Sequence, residues 1–427
     1  MTKIRPVASR ATARRVTTAI LLAAVGAAAL SGCSAGHGEY TEDFRQQANT
    51  RMDQVRAGTE WEMAHSQFLA GDLKKALKSI NKALAMTETV PRVHTLHGRI
   101  LFEMGELDQA LESFARAIEL DPTYSEAHYF TGIVYERLMK PELALEAYRA
   151  AAEHDPNNAQ FAIASAEMLI QLERLDDAWE LLSNDERTFQ HSAGVRQLQG
   201  HIALMRGDEA KAIKLFEEAC LLAPDEPSLV EDLARVQIEV GDYAEAEYSI
   251  SRLIRMDTTG TRRDLLHLQA RCLMEMDQPV EAREIYKQLT MDERGTTDYS
   301  AWFGLAKASI ILKEDLRLRE AANRMIRISP ERHEGYLMLA MFQRSKGQLE
   351  SAAELLDKAI DRTDSDPQPA MLQAMIYHDL GRFTDALESA EIAAELDPTS
   401  VHARTLVSAM STEVRDHAIA DVPVGID

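Results

Sequence analysis

The chain has 427 residues, with 69 Asp and Glu against 47 Lys and Arg, and a formal net charge of −22. So acidic a surface excludes general nucleic-acid binding, which needs cationic cover for phosphates, and the length exceeds what one compact core supports. Aromatic residues are sparse at 6%, a composition suited to helix-on-helix packing in an elongated stack whose core grows along one dimension.

The first 33 residues differ from everything after them. Lys3, Arg5, Arg10, Arg14 and Arg15 precede an apolar stretch from Val16 to Leu30, too short to span a bilayer comfortably as a helix. No acidic residue occurs before Cys33, so the remainder carries 42 basic against 69 acidic residues, a net −27. The segment ends Leu30-Ser31-Gly32-Cys33, which resembles the lipobox of bacterial lipoproteins. The resemblance implies a signal peptide over 1–33, cleavage before Cys33, and lipidation of that cysteine. Several acyl chains on one residue would anchor the chain stably. Ser34, rather than Asp, after the cysteine implies the outer membrane facing the periplasm. Arg14-Arg15 is followed by Val16-Thr17-Thr18, without the bulky apolar residues of a twin-arginine signal. Residues 34–56 read as a short tether and a leading helix over Thr41 to Val55.

From residue 57 a pair of small residues recurs about every 34 positions. Ala64, Gly98, Gly132, Ala166, Gly200, Ala234, Ala270, Ala306, Ala340 and Ala374 form the first set. Twelve residues after each comes Ala76, Ala110, Ala144, Ala178, Ala212, Ala246, Ala282, Leu318, Ala352 or Ala386, with Leu318 the exception. A period of this length marks stacked helix pairs, none of which buries its apolar face alone. In the second unit Gly98 sits where two helices cross, Gly105 ends the first helix, and Ala110, Phe114 and Ala117 continue the second at helical spacing. Asp121-Pro122 stops it. Aromatic residues recur in the Phe114 slot at Tyr148, Phe216 and Tyr286, and prolines at Pro122, Pro156, Pro224, Pro330 and Pro398.

These features resemble the tetratricopeptide repeat. The resemblance implies an all-α, right-handed superhelical solenoid of about ten helix pairs, with starts at 57, 91, 125, 159, 193, 227, 263, 299, 333 and 367. Residues 401–415 are expected to cap it and 416–427 to fray. Six units keep a mid-repeat glycine, at Gly71, Gly105, Gly207, Gly241, Gly347 and Gly381. Soft junctions are expected near 183–192, where Asp185 interrupts the fourth unit, and near 257–262 and 292–298, where Thr261-Arg262 and Thr297-Asp298 are inserted. A division into two sub-arrays near 260 is a variant of this reading. Cys220 and Cys272 lie on apolar faces of different repeats, so two buried free thiols are expected rather than a disulfide.

No pattern supports catalysis or a cofactor: the sequence lacks a Gly-rich phosphate loop, GxSxG, HExxH and paired CxxC. His94-x-x-His97 has metal-ligand spacing, but both fall in packing slots, so no metal is expected. Binding to a protein partner is what remains. The family resemblance implies that first helices line a concave groove, where the ninth position reads His65, Arg99, Ile133, Glu167, His201, Arg235, Arg271, Lys307, Met341 and Met375. Arg235, Arg271 and Lys307 would form a cationic ladder for the carboxylates of an extended segment, followed by an apolar end at Met341 and Met375. The alternative is that these bases neutralise Glu231, Glu239 and Glu275. The expected role is a non-enzymatic protein-interaction scaffold on a bacterial envelope membrane, with no nucleic acid and no small-molecule substrate. An assembly factor for a secretin, pilus or exopolysaccharide system is a narrower version. A self-associating structural protein is a second alternative.

Overall fold

The computed structural model describes residues 39–183 and 189–420. The lipobox cysteine Cys33, the segment before it and Asp185 lie outside the described residues. Among the described residues there are 21 α-helices, one 3-10 helix and no strand. The chain forms two compact bodies, one up to residue 188 and one from Phe189 onward. The division therefore falls within the junction expected near 183–192 and not near 260.

In the first body the first helices of the pairs are Glu39–Leu69, Pro91–Glu103, Ser125–Arg137 and Ala159–Gln171. Their partners are Leu73–Met86, Leu107–Leu120, Pro141–His154 and Leu175–Ser183. In the second body the first helices are Ala193–Met205, Pro227–Glu239, Arg263–Glu275, Tyr299–Ile311, Glu334–Ser345 and Gln368–Asp379. Glu209–Leu222, Tyr243–Met256, Pro279–Met291, Asp315–Ile328, Leu349–Ile360 and Phe383–Leu396 follow them in turn. Within each body, each described helix packs on the next in sequence, so every core is assembled from neighbours.

Local chemistry sets the helix ends. Pro91, Pro141, Pro227 and Pro279 occupy first turns, where a missing N–H costs nothing. Asp72, Asp208 and Asp242 accept backbone N–H groups three residues on. Between the helices of each pair the chain must turn through a left-handed residue, and six repeats use glycine there. The other four hold Met139, Glu173, Asp277 and Lys313 at φ 56 to 60°. The turn geometry thus survives without glycine, at the strain an L-residue carries in that region.

The glycines of the crossing points have a different reason. A Cβ on Gly98 would lie 2.5 Å from the Phe114 ring, on Gly132 2.5 Å from Tyr148, and on Gly200 2.6 Å from Phe216. Tyr286 stands over Gly304 of the following repeat, where a Cβ would be 2.3 Å away. Each ring in the aromatic slot thus lies against a bare helix backbone. Repeats with alanine at the crossing carry Ile80, Leu182, Ile250, Ala322, Leu356 or Ala390 in that slot, with Ala270 and Tyr286 the exception.

Four expectations are corrected here. The leading helix and the first repeat helix are one 31-residue helix, because nothing between Val55 and Ala57 breaks the turn. The last helix runs Val401–Ala420, five residues beyond the expected cap, since no proline or glycine interrupts it. It packs on the tenth pair through Ala403, Leu406 and Met410. The insertion at 257–262 is tied down: Asp257 accepts the Thr259 hydroxyl at 2.6 Å and the backbone N–H groups of Thr259, Gly260 and Arg262 at 3.0–3.1 Å. These donors, the hydroxyl foremost, hold its carboxyl down to about 2. The insertion at 292–298 forms a 3-10 turn, Arg294–Thr297, with Gly295 buried and its carbonyl accepting the Trp302 indole N–H at 2.8 Å. Cys220 and Cys272 are buried and free.

Candidate functional site

In the second body a cleft of about 710 Å³ opens between the sixth and seventh repeats. Its accessible floor is apolar, made by the half-buried Ile238 and Leu268 over Ala234, Ile250, Leu253 and Leu265, which are almost wholly inaccessible. Ile250 occupies the slot that holds a ring in the fifth and seventh repeats. An isoleucine fills less of the crossing than Phe216 or Tyr286, and the neighbouring Ala234 and Leu265 are nearly inaccessible themselves. The rim carries Arg235, Arg262 and Arg271 with Glu231, Glu239 and Asp264. Concavity, an apolar floor and a few charges at the edge are the ordinary make-up of a ligand site, and the volume falls in the usual range.

The three arginines differ in their freedom. Arg262, contributed by the two-residue insertion, bridges Glu231 at 2.7 Å and Asp264 at 2.8 Å, which ties the sixth repeat to the seventh. Arg235 pairs with Asp232 and keeps 58% of its side chain exposed. Arg271 is exposed and has no ion-pair partner among the described residues. The cleft therefore offers one unanswered cation above an apolar floor, and a second that is half committed.

Asp232 organises this region from beneath. Its side chain is only 9% exposed and accepts Gln197 Nε2 at 2.7 Å, His201 Nε2 at 3.1 Å and the Arg235 guanidinium. Burial pushes its pKa up, but the bonds from His201 and Gln197 outweigh that and hold the carboxyl below its usual range. Two further His–Asp bonds tie the start of a first helix to the residues leading into the next repeat, His267–Asp298 and His333–Asp366, each at 2.8 Å. Asp298 also accepts Arg263 at 2.8 Å and caps the Tyr299 helix through the Ala301 N–H.

The remaining ninth-position residues are dispersed. Lys307 stands 5.7 Å from the Phe303 ring and does not line the cleft, so the expected ladder is broken after Arg271. Glu231 is neutralised by Arg262, whereas Arg235 turns to Asp232. Met341 is half-buried against the core around Trp302 and Phe342, while Met375 is 42% exposed. His201 is held edge-on to Phe216. In the first body Arg99 is sandwiched between Phe68 and Phe130, 5.1 and 4.5 Å from their centroids. Burial, with Glu136 nearby, raises the Glu167 carboxyl. His94 bonds the Glu88 carbonyl and His97 the Ser113 hydroxyl, both at 2.9 Å, so each ring is engaged in packing.

Sequence reasoning missed Asp232, Arg262 and Ile250. Asp232 is one acid among many, and Arg262 belongs to an insertion that the sequence alone presents as loose chain. Ile250 alone left a usable signal: it breaks the aromatic slot between Phe216 and Tyr286.

The tetratricopeptide-repeat family model matches residues 95–159 and 337–401. No curated protein matches the chain in sequence. Among solved structures, PilF of Pseudomonas aeruginosa is 23% identical, with a TM-score of 0.39 over 47% of this chain and 90% of its own. PilW, a type IV pilus biogenesis factor, is 19% identical, with a TM-score of 0.39 over 48% and 97%. A tetratricopeptide repeat protein from Parabacteroides merdae is 18% identical, with a TM-score of 0.41 over 60% and 99%.

Proposed function

We propose that this tetratricopeptide-repeat protein is a non-enzymatic scaffold, anchored through a lipid on Cys33 to a bacterial envelope membrane, that holds a protein partner at the cleft between its sixth and seventh repeats. The mechanism is positional: the anchor fixes the scaffold at a membrane and the cleft fixes the partner to the scaffold. The observation that carries the binding reading is the cleft itself, with its apolar floor and the unanswered guanidinium of Arg271. A carboxylate on the partner would take that guanidinium in a bidentate pair, while an apolar side chain beside it covers Ile238 and Leu268. The reading of the anchor rests on Leu30-Ser31-Gly32-Cys33 and the basic and apolar segments before it.

Charge reversal separates this cleft from the rest of the cationic column. Arg271→Glu is expected to reduce partner recovery from detergent-solubilised envelopes by about tenfold or more, which corresponds to roughly 1.4 kcal/mol. Lys307→Glu, on the next first helix but outside the cleft, should leave recovery unchanged. Equal losses from both variants would point to a diffuse electrostatic effect, and no loss from either would remove the cleft from the mechanism.

A further inference from the structure

Among the described side chains, those that the helix Glu39–Leu69 buries lie in its second half. From Ala57 onward it buries Ala57 and Ala64 and packs Trp61 and Phe68 against the first core. Residues 42–56 are exposed, with Asp53 half-buried. About 15 residues of helix thus project beyond the repeat, a length that is marginal in water without tertiary support.

The projecting part is amphipathic. At roughly 100° per residue, Phe44, Ala48, Met52 and Val55 share one stripe, on the side opposite Ala57, Ala64 and Phe68. Phe44 is 64%, Met52 53% and Val55 67% exposed. Arg45 and Arg56 border the stripe on one edge and Arg51 on the other, whereas Glu42, Asp43 and Asp53 lie on the far side. Further along the same face, in the packed half, Thr59, Glu62 and Ser66 take the centre of the stripe, with the exposed Met63 and Leu69 at its edges.

We propose that residues 42–56 lie flat on an anionic bilayer surface, with Phe44, Met52 and Val55 at the acyl boundary and Arg45, Arg51 and Arg56 among the headgroups. An apolar stripe edged by arginines, with carboxylates turned away, is the pattern of an interfacial helix. The occupant follows from where the chain comes from: only five residues separate Cys33 from Glu39, and even fully extended they reach about 20 Å. This inference rests on the reading of Cys33 as the anchored residue. Four apolar residues bind a membrane weakly alone, but a nearby anchor makes the contact intramolecular and raises its effective concentration. Since the stripe and the packed face are opposite, the helix would turn the first body away from the lipid.

The test uses the chain from Cys33 onward, coupled through that cysteine to a maleimide lipid in phosphatidylcholine–phosphatidylglycerol vesicles containing nitroxide-labelled lipid. A fluorescent non-canonical residue replaces Met52 or, on the far side of the helix, Gln46. Quenching several-fold stronger at 52 than at 46, and lost with Phe44→Glu plus Val55→Glu while the chain stays on the vesicles, is the expected result. Equal or absent quenching at the two positions, or energy transfer between differently labelled copies in place of quenching, would overturn it. Chemical coupling makes this outcome independent of whether cells acylate Cys33, which the mass of the native N-terminal peptide reads separately.

Discussion

Gly98→Ala is expected to destabilise the second repeat by about 1–2 kcal/mol, although alanine is the better helix former. Two effects compete. Alanine in a helix interior gains roughly 0.5–1 kcal/mol over glycine, while overpacking a filled core costs about 1–3 kcal/mol. Here the added Cβ would lie 2.5 Å from a carbon of the Phe114 ring, which is fully buried and cannot retreat without moving its neighbours. Overpacking wins. Gly58→Ala supplies the opposite case on a neighbouring first helix, because nothing lies within 4 Å of the new Cβ, and it should stabilise by roughly 0.5–1 kcal/mol. Gly98→Ala combined with Phe114→Leu reproduces the Ala166 and Leu182 combination of the fourth repeat and should be more stable than Gly98→Ala alone. Denaturant melts of the unsubstituted protein, the two glycine variants, Phe114→Leu alone and the double variant measure this. Additive effects in the double variant would show that the ring and the glycine are not coupled.

Ile238→Glu with Leu268→Glu is expected to abolish partner recovery while preserving helicity. The two side chains are half-buried and form the accessible apolar part of the cleft, above Ile250 and Leu265, which are almost wholly inaccessible. A carboxylate at each position removes apolar contact worth about 25 cal/mol per Å² of area covered and offers Arg271 an answer from within the chain. Both positions keep access to water, so the fold should persist. Circular dichroism and co-purification read the two properties separately. Intact recovery with intact helicity would mean that the partner sits elsewhere.

The all-helical class and the helix-pair period were legible because crossing helices tolerate only small residues, and Ala64 through Ala374 repeat that demand ten times. The coupling of Gly98, Gly132 and Gly200 to rings sixteen residues later was also written in the sequence, but a column of "small" residues hides the difference between glycine and alanine. Of the site, the ninth-position column led to Arg235 and Arg271 but not to their unequal freedom. That inequality depends on Asp232, which accepts donors from Gln197, His201 and Arg235 across two repeats, and distances of this kind have no one-dimensional signature. Arg262 was hidden for the opposite reason: insertions read as loose chain, whereas Asp257 with its four donors fixes this one and aims the guanidinium at Glu231.

Photo-crosslinking in living cells tests the central claim most directly. A photoreactive residue in place of Glu239, on the rim of the cleft, is compared with one at Leu316, 73% exposed on a second helix away from it. The account predicts one dominant heterologous protein adduct from 239, absent from 316 and lost with Ile238→Glu plus Leu268→Glu. Adducts only from 316, or only between copies of this chain, would contradict a scaffold that holds its partner at the cleft.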